Sequence, residues 1–235
     1  MHAFKNVILQ RLHPEVIGRL ELERVELPVS REIEFPGSGI ANLFFIEEGI
    51  ASMTVTFKDG FEVEVALAGP EAILGTSGMM GTRRSLNRVY MQIGGYGYSS
   101  VMAVATKEFR RGEQFHDLTL RYLQAQFIQS AQTAGCNARH SVEQRMARWL
   151  LLCWDRVGDK VLPLSHEYMA AMLGVTRSSV TVVAGHLQER GLIQYTRGKI
   201  ALLDLAGLEA ISCECYQVVR DHLRSFADNE ERFGG

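Results

Sequence analysis

Cysteine is scarce in this chain of 235 residues, and long apolar runs are missing. The four cysteines, at positions 136, 153, 213 and 215, do not make a disulfide framework in a chain of this length. No apolar stretch approaches the roughly 20 residues of a membrane span, and the N-terminus lacks the layout of a signal peptide. We therefore expect a reducing, cytoplasmic setting and no membrane.

Residue patterns typical of enzymes are also missing. We find no Ser/His/Asp, HExxH or paired-carboxylate arrangement, so we expect no catalytic activity. The glycines at 94, 95 and 97 lack a following Lys-Ser/Thr, which favours a turn between strands over a phosphate cradle. Cys213 and Cys215 would point about 200° apart on one continuous helix. They are poorly placed to share a metal unless that helix is broken, so we expect buried core cysteines and no metal, with a redox role left open.

Charge is unevenly distributed along the chain. The net charge is −2, but residues 139–203 hold nine Lys/Arg and five Asp/Glu, a local net charge of +4. A basic module in an otherwise acidic protein is typical of a DNA-binding domain attached to a larger sensor.

The basic region contains the most informative stretch, from Ser165 to Leu203. Ser165 is a good N-cap for a short helix that ends at Gly174. Thr176 is a second N-cap, and a second helix follows to about residue 190. Residues 192–195 and 200–203 then predict two strands around a basic tip at 196–199. Helix, glycine turn, helix and basic hairpin together predict a winged helix-turn-helix; an ordinary pair of helices beside a hairpin is the alternative.

The second helix has two different faces. Val180, Val183, Ala184 and Leu187 share an apolar face at helical spacing. The opposite face is small and polar and begins with an arginine, so it can enter a DNA major groove. The residues that we expect to contact DNA, from this helix and the hairpin tip, are Thr176, Arg177, Ser178, Ser179, Thr181, Val182, Arg197 and Lys199.

The N-terminal half predicts a different structure. Residues 4–27 look helical, and from about 25 to 109 short β-rich runs alternate with glycine, which predicts a small barrel or roll. Strands are expected at 42–46, 51–57, 62–67, 89–93 and 99–104. Residues 61–65 alternate apolar and charged side chains, as a strand with one solvent-exposed face does.

A helix of some 25 residues is predicted from about 111. Leu120, Leu123, Phe127, Ser130 and Ala134 follow the spacing of a coiled-coil seam and predict a dimer contact; packing of this helix on its own domain is the alternative. Further helices are expected at 139–155 and 205–226. The fold class is thus α+β, with a jelly-roll-like effector domain at 1–110, a dimerisation helix at 111–138, a DNA-binding domain at 139–226 and a disordered tail at 227–235.

This order of elements resembles the CRP/FNR family of bacterial transcription regulators. The sequences that carry the resemblance are L-G-V-T-R-S-S-V-T at 173–181, G-L-I-Q-Y-T-R-G-K-I at 191–200, Q-R-M-A-R-W-L-L at 144–151, and the roll's G-I, D-G and G-P pairs at 49–50, 59–60 and 69–70. The resemblance implies a homodimer on a two-fold symmetric operator in double-stranded DNA. It also implies RNA polymerase as a partner.

The family's known effector sites are altered or missing in this sequence. Cyclic-nucleotide members carry Gly-Glu where this chain has Gly75-Thr76, and the nearest match to their phosphate-binding arginine, Arg84, is offset. No cysteine precedes Cys136, which excludes the N-terminal iron–sulfur mode, and His116 alone does not support haem. We therefore expect no cAMP, cluster or haem. The candidate pocket for an unknown small-molecule effector comprises Thr76, Arg83, Arg84, Arg88 and Ser130; constitutive DNA binding is the alternative.

The sequence thus predicts a dimeric, sequence-specific transcription regulator of the CRP/FNR type. A ligand-binding or scaffolding protein, whose winged helix contacts other proteins, is the alternative interpretation.

Overall fold

A computed structural model describes residues 4–82 and 84–228. The chain is a mixed α+β protein, in which a β-roll, a long helix and a winged helix-turn-helix domain follow one another. The helices are α1 Val7–Arg11, α2 Pro14–Arg19, α3 Met102–Phe109, α4 Gln114–Arg139, α5 Val142–Val157, α6 His166–Leu173, α7 Arg177–Glu189, α8 Leu205–Ile211 and α9 Cys215–Asp228. The strands are β1 Glu23–Leu27, β2 Glu32–Glu34, β3 Asn42–Ile46, β4 Ile50–Thr56, β5 Glu62–Ala68, β6 Ile73–Leu74, β7 Arg88–Ile93, β8 Gly95–Val101, β9 Val161–Leu162, β10 Ile193–Thr196 and β11 Lys199–Leu202.

The roll consists of two antiparallel four-stranded sheets. Their strand orders are β1-β8-β3-β6 and β2-β7-β4-β5. Their apolar faces enclose a core that also receives α1, α2 and the inner side of α4. The predicted roll is confirmed, although residues 23–27, expected to be helical, form β1 instead. The chain also enters helix α3 at residue 102, where the sequence predicted continued strand.

Strand β8 starts earlier than predicted, because its glycines are strand residues and not a turn. Gly95 and Gly97 pair with β1, and Gly97 also lies opposite Ile46 of β3. A Cβ atom on Gly97 would lie 2.2 Å from the carbonyl oxygen of Phe45, and one on Gly95 would lie 2.0 Å from that of Glu48. Glycine is required at both positions because neighbouring backbone approaches so closely.

Strand β5 does not have the solvent-exposed charged face that the sequence predicted. Glu64 is only 5% exposed, whereas Val63 is only partly buried. The reason is tertiary: α5 and α6 of the C-terminal domain cover this part of the sheet. The alternation of residue types was correct, but the assignment of its polar side to solvent was wrong.

The C-terminal domain packs directly against the roll and α4. Ile50, Leu67 and Ile93 of the roll belong to the same apolar core as α5, α6 and α7. Nε of Arg156 on α5 lies 2.8 Å from Oε1 of Glu71, in a buried ion pair. These contacts fix the orientation of the helix-turn-helix relative to the roll.

Two helix boundaries near the domain junction differ from the prediction. The long helix α4 continues to Arg139, and α5 begins only at Val142, where the side chain of Ser141 caps it. The single helix predicted over 205–226 is two helices, α8 and α9, separated by a break at 212–214. Of the predicted tail, residues 227 and 228 belong to α9, and 229–235 lie outside the described residues.

Candidate nucleic-acid interface

The two helices α6 and α7 form the helix-turn-helix as the sequence predicted. The hydroxyl of Ser165 accepts a hydrogen bond from the Tyr168 backbone N–H at 3.1 Å. That of Thr176 accepts one from the Ser179 backbone N–H at 3.3 Å. Gly174 ends α6 with φ of 63°, in the left-handed region that glycine adopts without steric cost. The turn geometry therefore follows from three local residues.

The two faces of α7 are separated as expected. Val180, Ala184 and Leu187 are buried in the domain core. Val183 is partly buried and packs against that core. The opposite face is exposed at Arg177, Ser178, Thr181, Val182 and Gln188. Val182 is 57% exposed, so its methyl groups can reach a partner at this face. The exposed side of α7 is thus free to enter a groove.

The hairpin beside α7 is tighter than predicted. Thr196 and Lys199 pair with each other as strand residues, so the turn contains only Arg197 and Gly198. Both have positive φ, 43° and 79°, as a two-residue hairpin turn of the I′ type requires. A third strand, β9, which the sequence did not predict, pairs with β11. Arg197 and Lys199 are exposed at this tip, and neither has an ion-pair partner among the described residues.

Arg177 already has a partner in the free protein. Its Nε lies 2.9 Å from Oε1 of Glu167 on α6, and the two side chains are 68% and 59% exposed. An ion pair this exposed contributes about 0–1 kcal/mol, so the arginine can exchange it for another acceptor.

Thr181 has a structural contact that the sequence did not indicate. Its hydroxyl donates to the carbonyl of Arg177 at 3.0 Å and lies 3.0 Å from Nδ1 of His166. The His166 ring stacks on Tyr195, with ring centroids 4.0 Å apart. This chain of contacts links α6, α7 and the hairpin, so they present one continuous surface.

A cavity of about 300 Å³ lies between the roll and α4. Two residues of the predicted effector pocket, Thr76 and Ser130, line it. Its other lining residues are mostly apolar or neutral, apart from Glu34. The Glu34 carboxylate is buried; it accepts from the Gly75 backbone N–H at 3.1 Å and from the Ser85 hydroxyl at 2.6 Å.

Of the predicted arginine group, Arg84 and Arg88 do not line this cavity. Arg84 donates to the carbonyl of Gly37 at 2.6 Å. Arg88 bridges Glu32 and Glu62, which lie 2.5 and 2.8 Å from its guanidinium nitrogens. Their assignment to the pocket was wrong, because both side chains are held by acceptors elsewhere on the roll. Arg83 lies outside the described residues. Glu34, the charged residue of this lining, was not among the predicted pocket residues.

The predicted seam lies on the outer side of α4. Leu120 is 45% and Phe127 74% exposed in the single chain. Ala134 is also exposed, and Leu123 and Ser130 are partly buried. The inner side of α4, including Phe115, contacts the roll's core. Leu120 and Phe127 therefore leave apolar surface on the outward face of α4.

Comparison with known proteins defines the C-terminal domain. Residues 144–211 match the family described as Crp-like helix-turn-helix domain. This stretch contains α6, the turn, α7 and the hairpin described above. The chain carries a Crp-like helix-turn-helix domain. The prediction of a winged helix-turn-helix is confirmed.

The similarity extends beyond this domain. The chain is 27% identical over 183 residues to the global nitrogen regulator of Synechocystis sp., covering 74% of this chain and 81% of that protein. FixK2 from Bradyrhizobium japonicum superposes with a TM-score of 0.70 at 14% identity, over 82% and 98% of the two chains. A putative CRP/FNR-family regulator from Eubacterium rectale superposes with a TM-score of 0.69 at 18% identity, over 87% and 96%. The solved structures show the fold, and the curated sequence similarity is to a global nitrogen regulator.

Proposed function

We propose that the protein is a dimeric regulator that reads a two-fold symmetric DNA operator with helix α7. This proposal rests on the exposed face of α7, which begins with hydroxyl side chains and lies beside a basic hairpin. The hydroxyl of Thr176 lies 2.8 Å from that of Ser178 and 2.9 Å from that of Ser179. Hydroxyls at a helix N-terminus, together with free backbone N–H groups, suit a phosphate oxygen.

Arg177 is the base-reading residue in this proposal. Its side chain is exposed at the first position of α7. A guanidinium can make a bidentate contact to guanine O6 and N7, and Val182 on the same face can meet a thymine methyl. Glu167 holds Arg177 in the free protein and would release it on DNA. Arg197 and Lys199 contact phosphates, which position the protein without reading sequence.

Dimerisation occurs through the outer side of α4. Leu120, Leu123 and Phe127 pack against their counterparts, with Ser130 and Ala134 allowing close approach farther along the helix. Each recognition helix then occupies one half-site, and the half-site centres lie about 34 Å apart, one turn of DNA. We further propose that the protein contacts RNA polymerase and acts in the cytoplasm.

A small molecule that binds the cavity at Thr76 and Ser130 could act on this dimer. Leu123 and Phe127 line both the cavity and the predicted seam, so occupancy would change the seam directly. The charge inside is Glu34, a carboxylate, which opposes an anionic ligand such as cAMP. A neutral or cationic ligand with an apolar part suits the cavity better, and constitutive DNA binding remains the alternative.

The competing function is a scaffolding or ligand-binding protein whose winged helix contacts proteins. The two are separated by DNA binding to a genomic fragment library, measured at several salt concentrations. A DNA-binding regulator retains a subset of fragments with an affinity that falls steeply with salt. Failure to retain any fragment at low salt would favour the protein-contact function.

A further inference from the structure

Three of the four cysteines and one histidine meet at a single point between α4 and the break that separates α8 from α9. Cys136 and His140 come from the C-terminal end of α4, Cys213 from the break, and Cys215 from the first position of α9. Their potential ligand atoms all lie within 4.8 Å of one another. We propose that these four residues bind one Zn²⁺ ion in a closed Cys₃His site.

The distances within the cluster are those of ligands around one tetrahedral ion. Sγ of Cys136 lies 3.5 Å from Sγ of Cys213, and Sγ of Cys215 lies 3.5 Å from Nδ1 of His140. With Zn–S bonds of about 2.3 Å and Zn–N bonds of about 2.0 Å, tetrahedral ligand atoms are roughly 3.5–3.8 Å apart. The ligand atoms that lie farthest apart, at most 4.8 Å, reach this range if one side chain moves by about 1 Å.

The local backbone explains how residues that are close in sequence can share an ion. Cys136 and His140 are four residues apart on α4 and its C-cap, so they lie on one helix face. Cys213 and Cys215 would diverge on a continuous helix. Because α8 ends at Ile211 and α9 begins at Cys215, the intervening bend turns both sulfurs toward α4.

The surroundings of the four ligands resemble the outer shell of a structural metal site. The amide of Gln132 donates to Sγ of Cys215 at 3.0 Å. Nε2 of His140 lies 3.3 Å from a carboxylate oxygen of Glu214, which fixes the ring with Nδ1 facing the sulfurs. Metal-bound histidines commonly use their second nitrogen in this way.

The site is buried, and a positively charged side chain nearby offsets the net negative charge of three thiolates and one zinc ion. The three cysteines are 0–3% exposed and form a cluster separate from both apolar cores. Three thiolates and one divalent ion leave a net charge of −1, and the buried guanidinium of Arg148 attracts the thiolate of Cys136 electrostatically. With four protein ligands, no coordination position is left for a substrate, so the ion is structural.

A Cys136–Cys213 disulfide is the competing interpretation. A disulfide needs sulfurs about 2.05 Å apart, whereas these lie 3.5 Å apart. A disulfide would also not explain why Cys215 and His140 lie beside the same two sulfurs, with His140 oriented by Glu214. The fourth cysteine, Cys153, is buried in the core on α5, and it serves as a matched control.

The test is the metal content of the full chain, purified anaerobically without a residual histidine tag. We expect one zinc per chain, retained in Cys153→Ser and lost in Cys136→Ser and Cys213→Ser. Equal loss in Cys153→Ser, or retention in a Cys136→Ser/Cys213→Ser double variant, would overturn the proposal. So would a Cys136–Cys213 disulfide, or an iron–sulfur cluster, in the anaerobically purified protein.

Cobalt titration covers the case in which the serine variants do not fold. After chelator treatment and dialysis, the unaltered chain should take up one Co²⁺. The absorption should show tetrahedral coordination and a sulfur-to-cobalt charge-transfer band of three-thiolate intensity, both abolished by excess Zn²⁺. Absence of that band, together with absence of zinc in the purified protein, would exclude the site.

Discussion

The indole N–H of Trp149, on α5, donates a 2.7 Å hydrogen bond to Oε1 of Glu64, on strand β5 of the roll. The other carboxyl oxygen lies 2.8 Å from the hydroxyl of Ser52. Ser52 lies 2.9 Å from Oε1 of Gln92 as well, and its single proton cannot serve both acceptors at once. A protonated Glu64 can donate to Ser52 and leave the Ser52 proton for Gln92, while the Tyr168 hydroxyl lies 3.0 Å from the same Ser52 oxygen.

The stability of the protein should therefore depend on pH through Glu64. Burial raises the pKa of this carboxyl from 4.5 to about 7. The folded state binds the proton more tightly than the unfolded state, so stability falls as pH rises from about 4.5 to about 7. Each pH unit in this interval lowers the free energy of unfolding by about 1.36 kcal/mol, so the total loss is roughly 3 kcal/mol. Urea unfolding at a series of pH values measures it.

Glu64→Gln is the variant that isolates this effect. The amide keeps an acceptor for Trp149 but cannot ionise, so we expect stability near pH 8 to rise and its pH dependence between 5 and 8 to flatten. Glu23→Gln, exposed on β1, removes a carboxylate elsewhere and should leave the dependence unchanged. If the free energy of unfolding changed with pH equally in Glu64→Gln and in the unaltered protein, Glu64 would not be the group responsible.

Phe127→Glu should convert the dimer to monomers. It would place two like charges in a close apolar contact on α4, where the phenylalanine is now 74% exposed in the single chain. The control is Phe57→Glu on the roll, where the ring is 52% exposed and outside the predicted seam. Analytical ultracentrifugation distinguishes the species; a Phe127→Glu protein that sediments as an unchanged dimer would rule out this seam.

Calorimetry should show no tight binding of cAMP. The cavity presents the Glu34 carboxylate, and the described arginines nearby are held by Gly37, Glu32 and Glu62. Removing a placed ionic partner costs several kcal/mol, enough to abolish micromolar affinity. A low-micromolar dissociation constant for cAMP, lost in Thr76→Val, would contradict this account of the pocket.

Glu167→Gln should strengthen DNA binding. It removes the carboxylate that holds Arg177 and one negative charge close to the proposed DNA surface. The gain should be modest, about 0–1 kcal/mol, because an exposed ion pair is weak. Glu189→Gln, at the far end of α7, is the matched control for the change in charge. Fluorescence anisotropy with labelled DNA measures both, and weaker binding by Glu167→Gln would show that the ion pair positions Arg177 productively.

The helix-turn-helix was predictable from sequence because its boundaries depend on neighbouring residues. Ser165, Gly174 and Thr176 specify two caps and a left-handed turn, and the structure has all three. Val180, Ala184 and Leu187 follow one helical period, which identified the buried face correctly.

The errors share a different origin, in contacts between residues distant in sequence. The burial of Glu64 depends on α5, about 85 residues away. The displacement of Arg88 from the pocket depends on Glu32, 56 residues away. The meeting of Cys136 with Cys213 requires a break in a helix that propensity alone would continue. Pattern and capping carry no information on such pairs.

Competitive DNA binding by Arg177→Ala and Lys199→Ala tests whether α7 reads the DNA sequence. An operator selected from a random pool is compared with scrambled DNA at one salt concentration. Arg177→Ala should cost about 1–3 kcal/mol on the operator and little on scrambled DNA, whereas Lys199→Ala should weaken both alike. Equal losses on both DNAs for Arg177→Ala, or no selectable operator at all, would contradict sequence reading by α7.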